Sequence, residues 1–508
     1  MPPLCLWALI CGAIAVVGFG LRVLVNVGRS PGGVDTWYYL AYADAVRRRP
    51  GLDVRLPQYL LQDLRQSYPP LFPSLLALLP GGFLRRRFWS VAPAIDCLHL
   101  LLLSWLAYRI TGSLGVSAFT GSLYAFNPQM VSETRSLNGR SLGALLHSLS
   151  VLFLLRYTFG GSVWPWLPLC LVFGAALFLS AATAGAAYGF VCAVLSAVDR
   201  DPRYLMVAAG ALALATLLSG GHYLRVVRNY LQAVAYWRRN RHRFGAHPVR
   251  QSPVYGEPGS GPAAAGQRPG FFGESAVRQL LRLLGENPFI VALPLAPFGT
   301  FPWGPRLFWW AISLAGLSVA ATLLPPLRFL GPGRGYMKTA VLPTAYTLAA
   351  GIGNLGGLHR PVGVVTLLAL LASVAAIAFF YRYMRSRPRE QTAFLPEGLE
   401  LAVSRLTEAP PGGFFCLPTV YADYACYQSG HPVLWGGHCG DLRRLEAIAP
   451  VITRPLPELF REHGVRYVLL ETSYTSIAEL CLERQVRELG SWDRFALYEW
   501  REEGAGSA

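Results

Sequence analysis

Charge is scarce in this 508-residue chain, with only 14% of its residues Asp, Glu, Lys or Arg, against about 25% in an ordinary soluble domain. A water-soluble fold made from a sequence that is 53% hydrophobic would display more apolar surface than water tolerates. A uniformly soluble globule is therefore excluded. Cysteine is sparse too, nine in all, which in a chain this long rules out a disulfide-built miniprotein. The apolar content likewise rules out intrinsic disorder. No internal repeat is evident, which argues against a transporter assembled from duplicated halves. Lysine is nearly missing: Lys338 stands alone beside 44 arginines. Acids are outnumbered 28 to 45, and the formal net charge of +17 suits anionic partners such as phosphates and lipid headgroups.

What is present in quantity is the long apolar run. Stretches able to cross about 30 Å of hydrocarbon fall near residues 4–26, 89–110, 116–131, 141–157, 165–183, 184–198, 204–220, 288–300, 306–324, 339–356 and 362–383. These predict a polytopic α-helical membrane protein of about eleven spans. The first run is too long for a signal-peptide core and lacks a basic start, so it reads as a retained anchor.

Two connecting loops are long, 27–88 and 221–287, and the run at 67–80 reads as re-entrant. The Gly/Pro/Ala tract at 252–270 reads as mobile. From about residue 390 the pattern changes. FFCLP at 414–418, HPVLW at 431–435, VRYVLLE at 465–471 and FALYEW at 495–500 have the pattern of strands, and 458–464 and 477–490 that of helices. This alternation predicts a membrane bundle over 1–389 and a small C-terminal α/β domain over 390–508. An odd number of spans with the N-terminus inside places both long loops and the tail outside the cytoplasm. The positive-inside rule opposes this for Arg47–Arg49 and Arg85–Arg87, and the chemistry below overrides it. The expected location is the inner membrane, with the C-terminal domain extracytoplasmic.

Five cysteines fall in apolar spans and four in the tail, Cys416, Cys426, Cys439 and Cys481. The tail set permits one or two disulfides. A zinc site using His431 or His438 with Cys439 is the rival reading, and it lacks a C-x-x-C knuckle.

The residues open to chemistry begin at GVDTWYYLAYADAVRRRP, 33–50. Asp35 lies just past the first span, where a carboxylate can face water at the bilayer surface. Helical spacing puts Trp37, Leu40, Ala41 and Asp44 near one another, within a belt that includes Tyr38, Tyr39 and Tyr42; the plain alternative is an interfacial helix. Asp44, Asp53 and Asp63 read as solvated loop charges. Asp96, inside a span, is costly to bury and is expected to pair with His99. The segment 222–251 carries seven arginines, Arg225 and Arg228 among them, and no acid. It reads either as an interfacial helix that holds a lipid phosphate or as an ordinary basic loop. It borders a span without a folded module, so nucleic acid is not expected as a partner.

GVDTWYYL, followed about thirty residues later by YPPLFPSLLALLP, resembles the first external loop of GT-C-type glycosyltransferases. These polytopic enzymes use polyprenyl-phosphate-linked sugars and include the oligosaccharyltransferase catalytic subunit, protein O-mannosyltransferases and the aminoarabinose transferase of lipid A. The resemblance makes Asp35 the catalytic carboxylate. NPQMVSETRSLNGRSLGALL at 127–146 resembles the family's second external loop and offers Glu133, Arg135 and Arg140. PGRGYMKTAVLPTAYTLAAG at 332–351 resembles the basic-aromatic lead-in to a late span and offers Arg334 and Lys338. The WWDYG-type motif of the oligosaccharyltransferase is missing: Trp309–Trp310 lie in a span, and Gly490–Asp493 lack the tryptophan pair. The Asp-Glu pair of the O-mannosyltransferases is Asp35-Thr36 here. The resemblance therefore reaches the superfamily and assigns no member.

The chemistry it implies is inverting transfer of a sugar from a polyprenyl-phosphate or pyrophosphate lipid to a protein, lipid or glycan acceptor. Asp35 would serve as base, with Glu133 beside it. Arg135, Arg140, Arg334 and Lys338, with Arg225 and Arg228, would meet the lipid phosphate. Asp35 with Glu133 offers oxygen ligands to a divalent ion such as Mg or Mn, a thin set of two carboxylates. Glu133 in a salt bridge with Arg135 or Arg140 is the plain alternative. A flippase or transporter of lipid-linked glycans would use the same basic cavity without bond-making.

Overall fold

The computed structural model describes residues 3–24, 34–52, 54–61, 66, 68–160, 164–243, 245–256, 275–301, 303–331, 333–354, 360–386, 395–436 and 442–502. The helices run, in chain order, α1 (Pro3–Leu24), α2 (Val34–Arg48), α3 (Leu71–Leu78), α4 (Gly81–Arg87), α5 (Val91–Thr111), α6 (Leu114–Ala125), α7 (Pro128–Ser132) and α8 (Arg140–Phe159). They continue with α9 (Trp166–Phe178), α10 (Ala182–Asp199), α11 (Arg203–Leu218), α12 (His222–Arg239), α13 (Ala276–Glu286), α14 (Gly304–Leu323), α15 (Arg334–Asn354) and α16 (Pro361–Ser386). The tail holds α17 (Glu397–Glu408), β1 (Gly413–Leu417), α18 (Ala422–Ser429), α19 (Leu442–Leu445), α20 (Leu456–His463), β2 (Val465–Glu471), β3 (Val486–Trp492) and β4 (Phe495–Trp500).

Among the described residues, six helices are long and apolar enough to cross a membrane, or seven if α11 and α12, bent by 115°, count as one broken span. Eleven spans were expected, and ten of the eleven runs do carry α-helix. Three of the missing spans have a plain physical source. At about 1.5 Å per residue, α6 and α9, with 12 and 13 residues, fall well short of the hydrocarbon thickness. The run at 288–300 is no single helix. Pro288, Pro294 and Pro297 cut it into short 3-10 turns at Pro288–Val291, Leu293–Leu295 and Phe298–Thr300, because each proline removes a backbone donor. The outer helices leave large apolar side chains uncovered: Leu9 and Val16 on α1 are 61% and 71% exposed, and Phe379 on α16 is 70% exposed. Such faces suit lipid rather than water.

The tail sheet has the order β1-β2-β4-β3, with β1 parallel to β2 and the other pairings antiparallel. Strands expected at 414–418, 465–471 and 495–500 coincide with β1, β2 and β4. HPVLW forms only isolated bridges from Val433 to Tyr59 and Phe414. The helix expected over 477–490 is a correction. Cys481 turns left-handed at φ 53° after one 3-10 turn, and the chain then enters β3, the edge strand. Gly490–Trp492 end β3, and Asp493–Arg494 turn the β3–β4 hairpin, with Trp492 paired to Phe495. The proposed boundary at 389/390 and most of the 252–270 tract lie outside the described residues.

The core runs from the bundle through α2 into the tail. A second cluster carries Tyr236 and Val249 from the α12 region onto the tail, where Arg250 pairs with Glu479 at 2.7 Å. The loop after α12 is therefore docked on the C-terminal region. Close packing also sets the entry to α15: a Cβ on Gly333 would collide with the Ser318 carbonyl oxygen of α14 and sit 2.6 Å from Thr322 Oγ1. Gly333→Ala is expected to destabilise the fold by about 1–3 kcal/mol, read as a lower thermal midpoint in detergent. An unchanged midpoint would show that α14 can slide aside.

Candidate active site

Two chain entries meet at the edge of the bundle. The first is the start of α2. Asp35 sits in its first turn, and the following residue locks it in place, because the Thr36 hydroxyl accepts the Leu137 backbone N–H at 3.0 Å. The second is the loop before α8, which delivers Arg140 to the opposite side. Its Nη2 lies 3.6 Å from Asp35 Oδ2, with the guanidinium half exposed and the carboxylate a quarter exposed. The spacing from Asp35 to Arg140 is thus set by a backbone-to-side-chain hydrogen bond rather than by the two charges alone.

An aromatic wall backs Asp35. Tyr39 and Tyr68 share a hydrogen bond, and their rings lie 5.9 Å apart edge to face. Burial, reinforced by the Asp35 charge, pushes both hydroxyls above the ordinary tyrosine value. Both hydroxyls therefore stay neutral at physiological pH and add no charge beside Asp35.

Glu133 lies on the other side of Arg140. Burial would raise its carboxyl pKa, but Lys338, Arg140, the Gln129 hydrogen bond and Arg334 outweigh burial and hold it below the usual carboxylate range. Gln129 donates to Glu133 at 2.9 Å and to the Arg334 carbonyl at 2.6 Å, and itself accepts from Asn287 Nδ2 at 2.7 Å. These contacts tie the second loop to the start of α15. Arg334 is half exposed and lies 3.6 Å from Glu286.

Beneath this surface runs a buried chain of charges. Lys338 is only 2% exposed; its Nζ lies 3.8 Å from both Glu133 and Asp96 and donates to Ser141 Oγ at 3.0 Å. Asp96 in turn lies 3.5 Å from Arg22 Nε, both fully buried. Lys338, expected at the donor phosphate, stands one layer deeper, behind Glu133. Asp96, expected to pair with His99, pairs with Arg22 and Lys338. His99 instead engages Tyr124 and Ser148, each at 2.9 Å, because its ring faces α6 and α8.

The structure thus joins Asp35, Arg140, Glu133, Lys338 and Arg334. The Arg135 side chain lies outside the described residues. Arg225 and Arg228 stand on α12, half buried and exposed respectively. Sequence reasoning passed over Arg22, Gln129, Glu286 and Asn287. A charge in the otherwise apolar α1 was the available signal for Arg22; the polar trio sits in stretches whose pairing is tertiary.

The metal expectation meets a poor donor set. Among the described residues no group of three or more His, Cys, Asp and Glu is placed to hold an ion. Asp35 faces Arg140 and Glu133 faces Lys338, so each carboxylate already looks at a cation. As placed, the two do not fit a divalent ion. Cys416, Cys426 and Cys481 are unbridged, while Cys439 and His438 lie outside the described residues.

No protein-family model matches the sequence, nor does any curated protein by sequence similarity. Solved structures do match in fold. ArnT from Cupriavidus metallidurans in the apo state aligns with TM-score 0.60 at 14% identity, over 97% of each chain. The same protein bound to undecaprenyl phosphate aligns at 0.56 and 14%, over 99% of each chain. The archaeal oligosaccharyltransferase AglB from Archaeoglobus fulgidus, in complex with an inhibitory peptide and a dolichol-phosphate, gives 0.59 at 12% identity, covering 94% of this chain and 71% of that one. AglB in complex with Zn and sulfate gives 0.54 at 12%, covering 91% and 68%. These likenesses show the fold, a mostly helical bundle followed by a small C-terminal sheet, in keeping with the GT-C resemblance.

Proposed function

We propose that this protein is an inverting membrane glycosyltransferase that moves a sugar from a polyprenyl-phosphate donor to an acceptor outside the cytoplasm. The observation that carries the reading is the Asp35–Arg140 pair, a carboxylate and a guanidinium facing each other with solvent access to both. The fold shared with ArnT bound to undecaprenyl phosphate and with AglB bound to a dolichol-phosphate supports the choice of a polyprenyl-phosphate donor.

In this reading Asp35 takes the proton of the acceptor nucleophile. The freed electron pair attacks the anomeric carbon from the face opposite the phosphate, so the configuration inverts. The bond from that carbon to the phosphate oxygen breaks, and its electron pair leaves on the lipid phosphate. Arg140 and Arg334, both half exposed, present planar forks to that growing charge. Lys338 acts from behind, by keeping Glu133 ionised and the second loop in place. The sugar and the acceptor stay open at this level. The bundle would be residues 1–389 and the tail, 390–508, an extracytoplasmic domain of an inner-membrane protein.

The test is transfer by the purified full-length chain in nanodiscs, using labelled polyprenyl-phosphate sugars and a panel of acceptors. Product of inverted anomeric configuration is expected, formed together with free polyprenyl phosphate. Movement of intact lipid-linked sugar across vesicles, with no bond broken, would instead make the chain a flippase.

A further inference from the structure

A second opening lies away from Asp35. It is a cleft of about 620 Å³ between α2, the end of α4 and α18 of the tail, a size common for small-ligand sites. At about 100° per residue, Trp37, Leu40, Ala41, Asp44 and Arg48 form one stripe of α2, all lining the cleft. Asp35 lies about 200° round the helix from Trp37 by the same turn, so α2 separates the two sites.

The cleft is built and charged. Asp44 is fixed at its centre, accepting from Arg47 and, at 3.0 Å, from the Tyr427 hydroxyl. Arg47 is fully occupied, since it also donates to the carbonyls of Leu76, Ala77 and Leu79 at the end of α3, at 3.1–3.3 Å. It neutralises Asp44 and leaves the other two arginines as the excess charge. Arg48 is exposed and makes no hydrogen bond or ion pair among the described residues, and Arg85 reaches the Tyr427 hydroxyl. The amides of Gln58 and Gln428 complete the wall. Trp37 is clamped by Tyr424 and Tyr427, with ring centroids 5.0 and 5.7 Å away. Two guanidinium forks, two amides, a fixed carboxylate and a tyrosine edge suit a ligand with one acidic group and several hydroxyls.

We infer that this cleft binds an anionic saccharide, a sugar bearing a carboxylate or phosphate, as the non-reacting part of the acceptor. The acceptor role rests on the proposed transferase function; the binding site does not. α18 supplies one wall, so the tail contributes directly to acceptor choice.

The test titrates trigalacturonate and neutral galactotriose against the full chain in phosphatidylcholine nanodiscs. The wild type is expected to bind the anionic probe at least tenfold more tightly than the neutral one. R48Q/R85Q is expected to lose that preference while still binding polyprenyl phosphate, which reports an intact fold. Equal binding by wild type and double variant, or no wild-type preference for the acidic probe, overturns the inference. A repeat with phosphatidylglycerol in the disc tests the lipid source. If that headgroup displaces the probe from wild type, the occupant is a lipid phosphate and the saccharide assignment falls. Arginine-dependent probe binding by a chain that transfers no sugar from any donor would overturn the transferase reading and leave the cleft standing.

Discussion

Asp35→Asn is expected to lower sugar transfer by roughly 10²–10⁴-fold, the range that a positioned acid or base contributes, with polyprenyl-phosphate binding retained. The substitution keeps the shape of the side chain and the start of α2, because the Thr36–Leu137 hydrogen bond that holds this turn does not involve the carboxylate. It removes the lone-pair basicity that would take the acceptor proton, and it removes the charge 3.6 Å from Arg140. Two effects therefore need separating. Arg140→Gln removes the cation and keeps the base, so it should weaken donor phosphate binding as well as turnover. Asp35→Asn should act on turnover alone. Single-turnover transfer at saturating donor, paired with a polyprenyl-phosphate binding measurement, distinguishes them. Transfer by Asp35→Asn within tenfold of wild type would sink the base assignment, and the catalytic carboxylate would then be sought at Glu133.

The legible part of the fold was the part governed by local pattern. α1, α8, α14 and α16 coincide with long, predominantly apolar runs, the pattern a membrane-crossing helix requires. Asp35 was expected to face water just past the first span, and its carboxylate is a quarter exposed beside Arg140. Arg140, Glu133 and Lys338 were nominated by the resemblance, and their contacts join them. What stayed hidden was set by distant partners. Arg22 and Asp96 are 74 residues apart and are matched by the packing of α1 against α5, so no local window could pair them. The segment 477–490 was misread because IAELCLERQVRELG has helical composition. The β3 part of it lies at the sheet edge, where Arg487 and Glu488 are both exposed and Arg487 pairs with Glu499 at 2.7 Å, so the period-2 signal of a half-buried strand is absent. The α2 cleft was hidden for a similar reason: Trp37, Leu40, Ala41 and Asp44 were grouped by spacing, but the wall from α18 comes from nearly 400 residues away.

Lys338→Met is expected to destabilise the protein by about 3–5 kcal/mol, the cost of stripping one partner from a buried ion pair. The buried chain holds Arg22 and Lys338 against Asp96 and Glu133, two charges of each sign, with Lys338 2% exposed and Asp96 fully buried. Removing the lysine leaves Arg22 as the one cation of the buried chain for two anions, with only the more exposed Arg140 and Arg334 still acting on Glu133. Charge counting names the rescue. Glu133→Gln combined with Lys338→Met restores balance and leaves the Arg22–Asp96 pair intact, and the Gln129 hydrogen bond to position 133 can persist at the retained amide oxygen. The double variant should recover at least about 1.4 kcal/mol, roughly a tenfold change in the folding constant, relative to the sum of the single losses. It should still transfer sugar poorly, because the second loop has lost the charges that fix it to α15. Denaturation in nanodiscs across the four members of the cycle reads the coupling, and transfer assays on the same preparations read function. Strict additivity would mean that Lys338 and Glu133 do not sense each other and that Lys338 answers to Asp96 alone. Full transfer by the stable double variant would make the buried chain a structural element with no part in holding the site.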